Sequence, residues 1–194
     1  MLHMVYGESA SGKSSYAESF AMSLQGDGRL LYIATMYPYK WNTTEIDPET
    51  MQRIERHRAM RADKGFDTVE CYRHVEHIVA KRQDVLLLEC MSNLLANEMY
   101  LEPDANAGSD MAETMSPVSK KIVQALINLS TRVQDVVIVT NDVFSDGGSL
   151  TYDESTREYV KNLAEINCAL AREAATVTEV VCGIPVKIKG DKQL

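Results

Sequence analysis

The chain has 194 residues and a formal net charge of −8, which is long enough for one domain with a real core and of the wrong sign for a general nucleic-acid or membrane-surface binder. No run approaches the ~18 apolar residues of a membrane span. The first residues already read as strand and loop, so no signal peptide is expected.

Residues 2–6 are a short apolar run, the first expected strand. Gly7-Glu8-Ser9-Ala10-Ser11-Gly12-Lys13-Ser14 follows at once, the G-x-x-x-x-G-K-S pattern of a phosphate-binding loop. Residues 15–24 then carry Ala17, Phe20, Ala21 and Leu24 at helical spacing. Strand, loop and helix in this order let the backbone curl around a phosphate and aim a helix N-terminus at it. Lys13 would reach the β- and γ-phosphates, and the Ser14 hydroxyl would sit on Mg²⁺.

Residues 30–35 (Leu-Leu-Tyr-Ile-Ala-Thr) read as a buried strand ending in Thr35, and residues 36–45 as a loop. Asp47-Pro48-Glu49 is a helix start: a cap, a proline at the first helical position and an acid in the first turn. The helix should run to about Arg61 and is basic, with Arg53, Arg56, His57, Arg58 and Arg61. Arg53, His57 and Arg61 are four apart and share one face. A short strand over residues 67–71 is predicted next, then a helix over residues 73–82 with Val75, Ile78 and Val79 inward.

Residues 84–89 (Asp-Val-Leu-Leu-Leu-Glu) read as a strong strand closed by Glu89. A carboxylate there is what a phosphate-loop enzyme uses to hold Mg²⁺. Helix is expected over residues 91–100, a mobile loop over 101–116, an amphipathic helix over 118–133 and a buried strand over 134–140 ahead of Asn141 and Asp142. Residues 144–152 read as a loop and 153–175 as a long helix with Tyr159, Leu163, Ile166, Leu170 and Ala174 on one stripe. Residues 176–182 and 186–189 flank Gly183-Ile184-Pro185 and read as a closing hairpin. The fold class is therefore α/β. The reading is a single P-loop NTPase-type (RecA-like) domain over residues 1–194, with a mainly parallel sheet flanked by helices. Cys71, Cys90, Cys168 and Cys182 form no C-x-x-C pair and read as reduced core thiols of a cytoplasmic protein. The sequons at Asn42 and Asn128 are then idle.

Ligands of such sheets bind outside the carboxyl ends of the strands. The polar residues there are the phosphate loop, Thr35, Glu70, Glu89, Asn141 and Asp142. For His57 the pattern leaves two readings open. It is a solvent-facing helix histidine, or it is an unprotonated nucleophile among arginines that gather phosphates.

Several stretches together resemble one family. They are the phosphate loop, Leu31-Tyr32-Ile33-Ala34-Thr35 and Arg53-Ile54-Glu55-Arg56-His57, then residues 68–71 (T-x-E-C), 87–90 (L-L-E-C) and 139–143 (V-T-N-D-V). A helix reaching Asn167 and the closing run at 183–189 (G-I-P-V-K-I-K) complete the set. The chain resembles the bifunctional adenosylcobinamide kinase / adenosylcobinamide-phosphate guanylyltransferase family of cobalamin biosynthesis over nearly its whole length. The R-I-x-x-H helix and the closing run are its most specific features.

The resemblance implies two reactions. A nucleoside triphosphate, ATP or GTP, phosphorylates the aminopropanol hydroxyl of adenosylcobinamide. GTP then guanylylates the matching histidine, and the substrate phosphate takes the GMP to give adenosylcobinamide-GDP. It makes His57 the nucleophile, with Lys13 as the other catalytic residue. Nucleotide contacts would fall on Gly7, Glu8, Ser9, Ala10, Ser11, Gly12, Lys13, Ser14, Ala34, Thr35, Met36, Arg58, Ala59, Met60, Arg61, Glu70 and Glu89. Ser14 and Glu89 would hold Mg²⁺. It also implies a homotrimer. The chain departs from the family pattern at Glu8, where a glycine is usual, at Ala10, where an arginine is usual, at Ala62 in place of a proline, and over residues 144–154. A diverged single-activity kinase for a small hydroxyl substrate, or a nucleotide-binding regulatory module without corrinoid turnover, are the alternatives.

Overall fold

The computed structural model describes residues 1–41, 43–101, 115–142 and 152–190. In chain order the elements are β1 (Leu2–Tyr6), α1 (Lys13–Leu24), β2 (Leu30–Ala34), α2 (Pro48–Arg61), β3 (Phe66–Glu70), a single 3₁₀ turn (Val75–His77), β4 (Val85–Glu89), α3 (Met91–Tyr100), α4 (Pro117–Arg132), β5 (Asp135–Val139), α5 (Glu154–Glu173), β6 (Thr176–Val181) and β7 (Ile184–Lys189). The strands form one sheet in the order β3-β2-β4-β5-β1-β6-β7. Every pairing is parallel except that of β6 with β7. β5 lies between β1, which feeds the phosphate loop, and β4, which ends in Glu89. This is the RecA-like arrangement the sequence predicts.

Strands of a parallel sheet are buried on both faces and so read as continuous apolar runs. Alternate residues serve opposite faces. Leu31, Ile33, Leu86, Leu88, Val136 and Ile138 pack with the apolar stripes of α3, α4 and α5. Leu30, Tyr32, Leu87, Val137 and Val139 pack with Ala17 and Ala21 of α1 on the other face. Each such fully buried aliphatic contributes roughly 1.5–3 kcal/mol, so the apolar runs carry the fold.

α2 is different. It starts as its sequence dictates, with Asp47 accepting from the Thr50 N–H and Pro48 in the first turn. Arg61 is its only buried residue. This helix presents charge, not an apolar face.

The closing hairpin turns on Cys182 (φ 50°) and Gly183 (φ 80°), a two-residue loop of the left-handed kind that matches strand twist. The turn thus starts earlier than predicted, and Ile184 and Pro185 belong to β7. Proline is tolerated there because β7 is an edge strand. The Gly183 N–H donates to the Ser11 carbonyl at 2.8 Å, so the hairpin braces the phosphate loop from behind. Gly12 has φ 91°, and a Cβ there would stand 3.2 Å from Gly183 Cα. Backbone conformation and close approach both require glycine at that position.

Two expectations are corrected. The helix expected over residues 73–82 is reduced to the 3₁₀ turn. His74 adopts a left-handed conformation (φ 57°) that interrupts helix, and β-branched Val75, Ile78 and Val79 favour it little. Val75 and Ile78 are buried as expected, but Val79 is 88% exposed. The cysteines are free, yet Cys168 and Cys182 are exposed and are not core thiols. The predicted loops over 101–116 and 144–152 fall almost wholly outside the described residues, as do Asn42 and Val143.

Candidate nucleotide site

The carboxyl ends of β2, β3, β4 and β5, the phosphate loop and α2 enclose a cavity of about 400 Å³. Ser9, Ala10, Lys13 and Ser14 line it from the loop, and Ala34 and Met36 from the end of β2. Lys13 is buried, and its ammonium donates to the Glu8 carbonyl at 2.9 Å. Burial pulls its pKa below the usual lysine value.

Opposite the loop stands Glu89. Burial pushes its carboxyl above the usual carboxylate range, and a hydrogen bond from Ser14 opposes that shift. Glu89 Oε2 is buried with no hydrogen-bond partner among the described residues. An unpartnered, buried carboxylate oxygen beside a serine hydroxyl is a donor set suited to Mg²⁺, a hard cation that takes one or two carboxylates plus substrate phosphates. Ser14 and Glu89 therefore fit the metal that the sequence assigns to them.

α2 closes the cavity with Arg53, Arg56, His57, Arg58 and Arg61. Arg61 is 6% exposed. Its guanidinium carbon lies 3.4 Å from the ring centroid of Tyr32. Its Nη1 is buried without a hydrogen-bond partner among the described residues. A cation stacked on an aromatic face but short of an acceptor is poised for an anion. Just beyond the helix, Lys64 pairs with the buried Glu18 of α1. Arg58 pairs with Glu70 at the end of β3, and the Tyr72 hydroxyl donates to the same carboxylate at 2.9 Å. Burial first, then the Glu70 bond, raises the Tyr72 phenol pKa.

Most predicted residues meet here: Ser9, Ala10, Lys13, Ser14, Ala34, Met36, His57, Arg58, Arg61, Glu70 and Glu89 all line the cavity. Gly7, Glu8, Ser11 and Gly12 belong to the loop without lining it. Thr35 does not: it is fully buried, and its hydroxyl donates to the Glu89 and Cys90 carbonyls. Ala59 and Met60 are exposed and away from it. Tyr32, Tyr72, Ser92, Asn93 and Asn141 also line the cavity. Of these the sequence argument singled out Asn141 alone. Ser92 and Asn93 follow directly on Glu89 and Cys90, so the strand-end rule had the signal to find them.

A model of the family described as cobinamide kinase / cobinamide phosphate guanyltransferase matches residues 3–188. The chain belongs to that family. Membership makes it a transferase of cobalamin biosynthesis, built on a phosphate-loop nucleotide-binding fold. No curated protein matches the chain. Similar solved structures include the flagellar accessory protein FlaH from Methanocaldococcus jannaschii, 14% identical, covering 98% of this chain and 78% of that one with a TM-score of 0.47. They also include the RadB recombinase, 14% identical over 92% of this chain and 73% of that one, with a TM-score of 0.42. A protein from Pyrococcus horikoshii OT3 is 9% identical over 99% of this chain and 87% of that one, with a TM-score of 0.47.

Proposed function

We propose that the protein phosphorylates adenosylcobinamide with a nucleoside triphosphate, ATP or GTP. It then transfers GMP from GTP, by way of guanylylated His57, to give adenosylcobinamide-GDP. The observation that carries this reading is that His57 and the phosphate loop line one cavity. A triphosphate held by Lys13 and the loop backbone would lie within reach of the imidazole.

In the first reaction the substrate hydroxyl attacks the γ-phosphorus and the nucleoside diphosphate leaves. Lys13 and Arg61 offset the charge of the transferring group. Mg²⁺ on Ser14 and Glu89 would neutralise phosphate oxygens. In the second, a ring nitrogen of neutral His57 attacks the α-phosphorus of GTP. A P–N bond forms and pyrophosphate leaves. An oxygen of the substrate phosphate then attacks the same phosphorus, the P–N bond breaks and the imidazole is restored. Glu70 can accept from guanine N1–H and N2–H₂, taking the place of its bonds from Arg58 and Tyr72. The arginines of α2 counter the pyrophosphate charge.

The test is covalent labelling. Incubation with GTP and Mg²⁺ should attach GMP through an acid-labile, fairly base-stable linkage. His57→Asn should take no label while still phosphorylating adenosylcobinamide. An acid-labile GMP label on His57→Asn would overturn the assignment and turn attention to His74 or His77.

The working assembly in this reading is a homotrimer in the cytoplasm. Light scattering at working concentration should give three times the chain mass, and a monomer counts against it. Among the described residues no helix is long and apolar enough to cross a membrane.

A further inference from the structure

A second, larger cavity of about 1310 Å³ opens beside the nucleotide site. It exceeds the roughly 300–1,000 Å³ of pockets for drug-sized ligands. The two cavities share Glu70 and Tyr72 as a common wall. The outer one has a mixed lining: Tyr37, Tyr72, Val79 and Ile78 are apolar or aromatic, and Thr43 and Thr44 are hydroxylic. Val79 is 88% exposed on this wall, an apolar side chain with little to cover it. A flat apolar macrocycle rimmed with amides is the chemistry such a lining takes.

His77 stands on the same wall. Its ring stacks on that of His74, with centroids 5.7 Å apart and planes 26° apart. The two imidazoles differ in availability. His74 Nδ1 lies 3.2 Å from the Lys121 ammonium and 3.3 Å from Glu76. The Lys121 ammonium and the Glu76 carboxylate both lie against that nitrogen, so it is engaged within the protein. His77 is exposed, and its ring has no hydrogen bond among the described residues.

The turn that presents His77 is firmly held. Buried Glu98 accepts from the His74 N–H at 2.6 Å and from Lys121 at 3.0 Å. The left-handed His74 is thereby fixed from beneath. A strained, over-determined turn carrying a free imidazole into a cavity has the character of a ligand clamp.

We propose that this outer cavity holds the corrin ring of cobinamide and that a ring nitrogen of His77 becomes an axial ligand of its cobalt. The inference rests on the reading of the protein as a cobinamide transferase. Cobinamide lacks the nucleotide base that otherwise supplies an axial nitrogen, so its cobalt carries an exchangeable water. In the step, the His77 nitrogen lone pair replaces that water, which leaves. The cobalt oxidation state is unchanged, and the imidazole proton stays on the other nitrogen. Imidazole is a common ligand for metals of this kind. The ring would be anchored outside, and the aminopropanol arm would cross the wall that the two cavities share into the nucleotide cavity.

The full chain loaded with cob(II)inamide tests this by electron paramagnetic resonance. One axial nitrogen should split each cobalt line into three in the wild type, and His77→Ala should lose that splitting. Val79→Glu, on an exposed wall position, should weaken cobinamide binding at least about tenfold, which is ~1.4 kcal/mol, with GTP affinity unchanged. Splitting that persists in His77→Ala, or is absent from the wild type, overturns the axial ligand. Unchanged cobinamide affinity in Val79→Glu overturns the location. If adenosylcobinamide is still turned over in either case, the transferase reading stands while this inference falls. If the wild type neither binds nor turns over cobinamide, both fall.

Discussion

Arg61→Met separates a residue that binds phosphate from one that holds α2 in place. The substitution keeps the length of the stem and removes the guanidinium. In the free protein two terms oppose each other. The stacking on Tyr32, at 3.4 Å from the ring centroid, is worth about 0.5–2 kcal/mol. Leaving a buried donor such as Nη1 unpaired costs about 1–3 kcal/mol, and methionine removes that cost. The stem stays packed against Tyr32. The free protein should therefore lie between about 1 kcal/mol less stable and about 2.5 kcal/mol more stable than the wild type. With triphosphate bound the balance differs. A charge-assisted bond from Arg61 contributes about 1.5–3 kcal/mol, so its loss should raise the GTP Kd by about 10- to 150-fold. Calorimetric titration with GTP and Mg²⁺ at fixed salt measures the affinity. Urea unfolding with and without GTP measures stability and the shrunken ligand-linked gain. The reasoning is refuted if free Arg61→Met loses more than about 3 kcal/mol while binding GTP as tightly as the wild type. Arg61 would then be a structural prop.

Lys13→Ala should weaken GTP binding and phosphoryl transfer, with stability within about 1 kcal/mol of wild type, because among the described residues the buried ammonium bonds a single loop carbonyl. Equal affinities at fixed salt and Mg²⁺ would remove the lysine from the mechanism. Asp84 is buried and accepts from the Arg29 guanidinium at 2.6 Å, the Arg29 N–H at 3.1 Å and the Lys81 N–H at 2.8 Å. Burial pushes its carboxyl up, but these bonds outweigh it and leave the pKa at about 2 against an ordinary 3.8. The folded pKa is depressed, so this stabilisation is present above pH ~4 and is lost as pH falls through about 2. Asp84→Asn should lose about 2 kcal/mol in urea unfolding at pH 7. The gap to wild type should narrow on acidification, and a gap independent of pH counts against the ion pair.

The sequence by itself determined the apolar strands and the phosphate-loop pattern, and named Ser14 and Glu89 as the expected metal-binding pair, because these signals are local. Four apolar runs bounded by polar residues leave a buried parallel strand as their simplest solution. A glycine-bracketed lysine and serine between strand and helix can do little but cradle a phosphate. Helical spacing put Arg53, His57 and Arg61 on one face. Only the tertiary structure decided what that face meets. Arg61 lies over Tyr32, and Arg58 reaches Glu70, because α2 crosses the ends of β2 and β3. No periodicity within α2 records that crossing. Thr35 looked like a ligand residue from its strand-end position, yet its hydroxyl caps the carbonyls of the next strand, a neighbour 54 residues on. The run at 73–82 has helical spacing and forms one 3₁₀ turn instead. Buried Glu98, paired with Lys121 of α4, captures the His74 N–H that a local helix would otherwise use. Spacing along the chain fixes which residues can share a face, and the distant partners that cover or complete that face are set by how the elements cross.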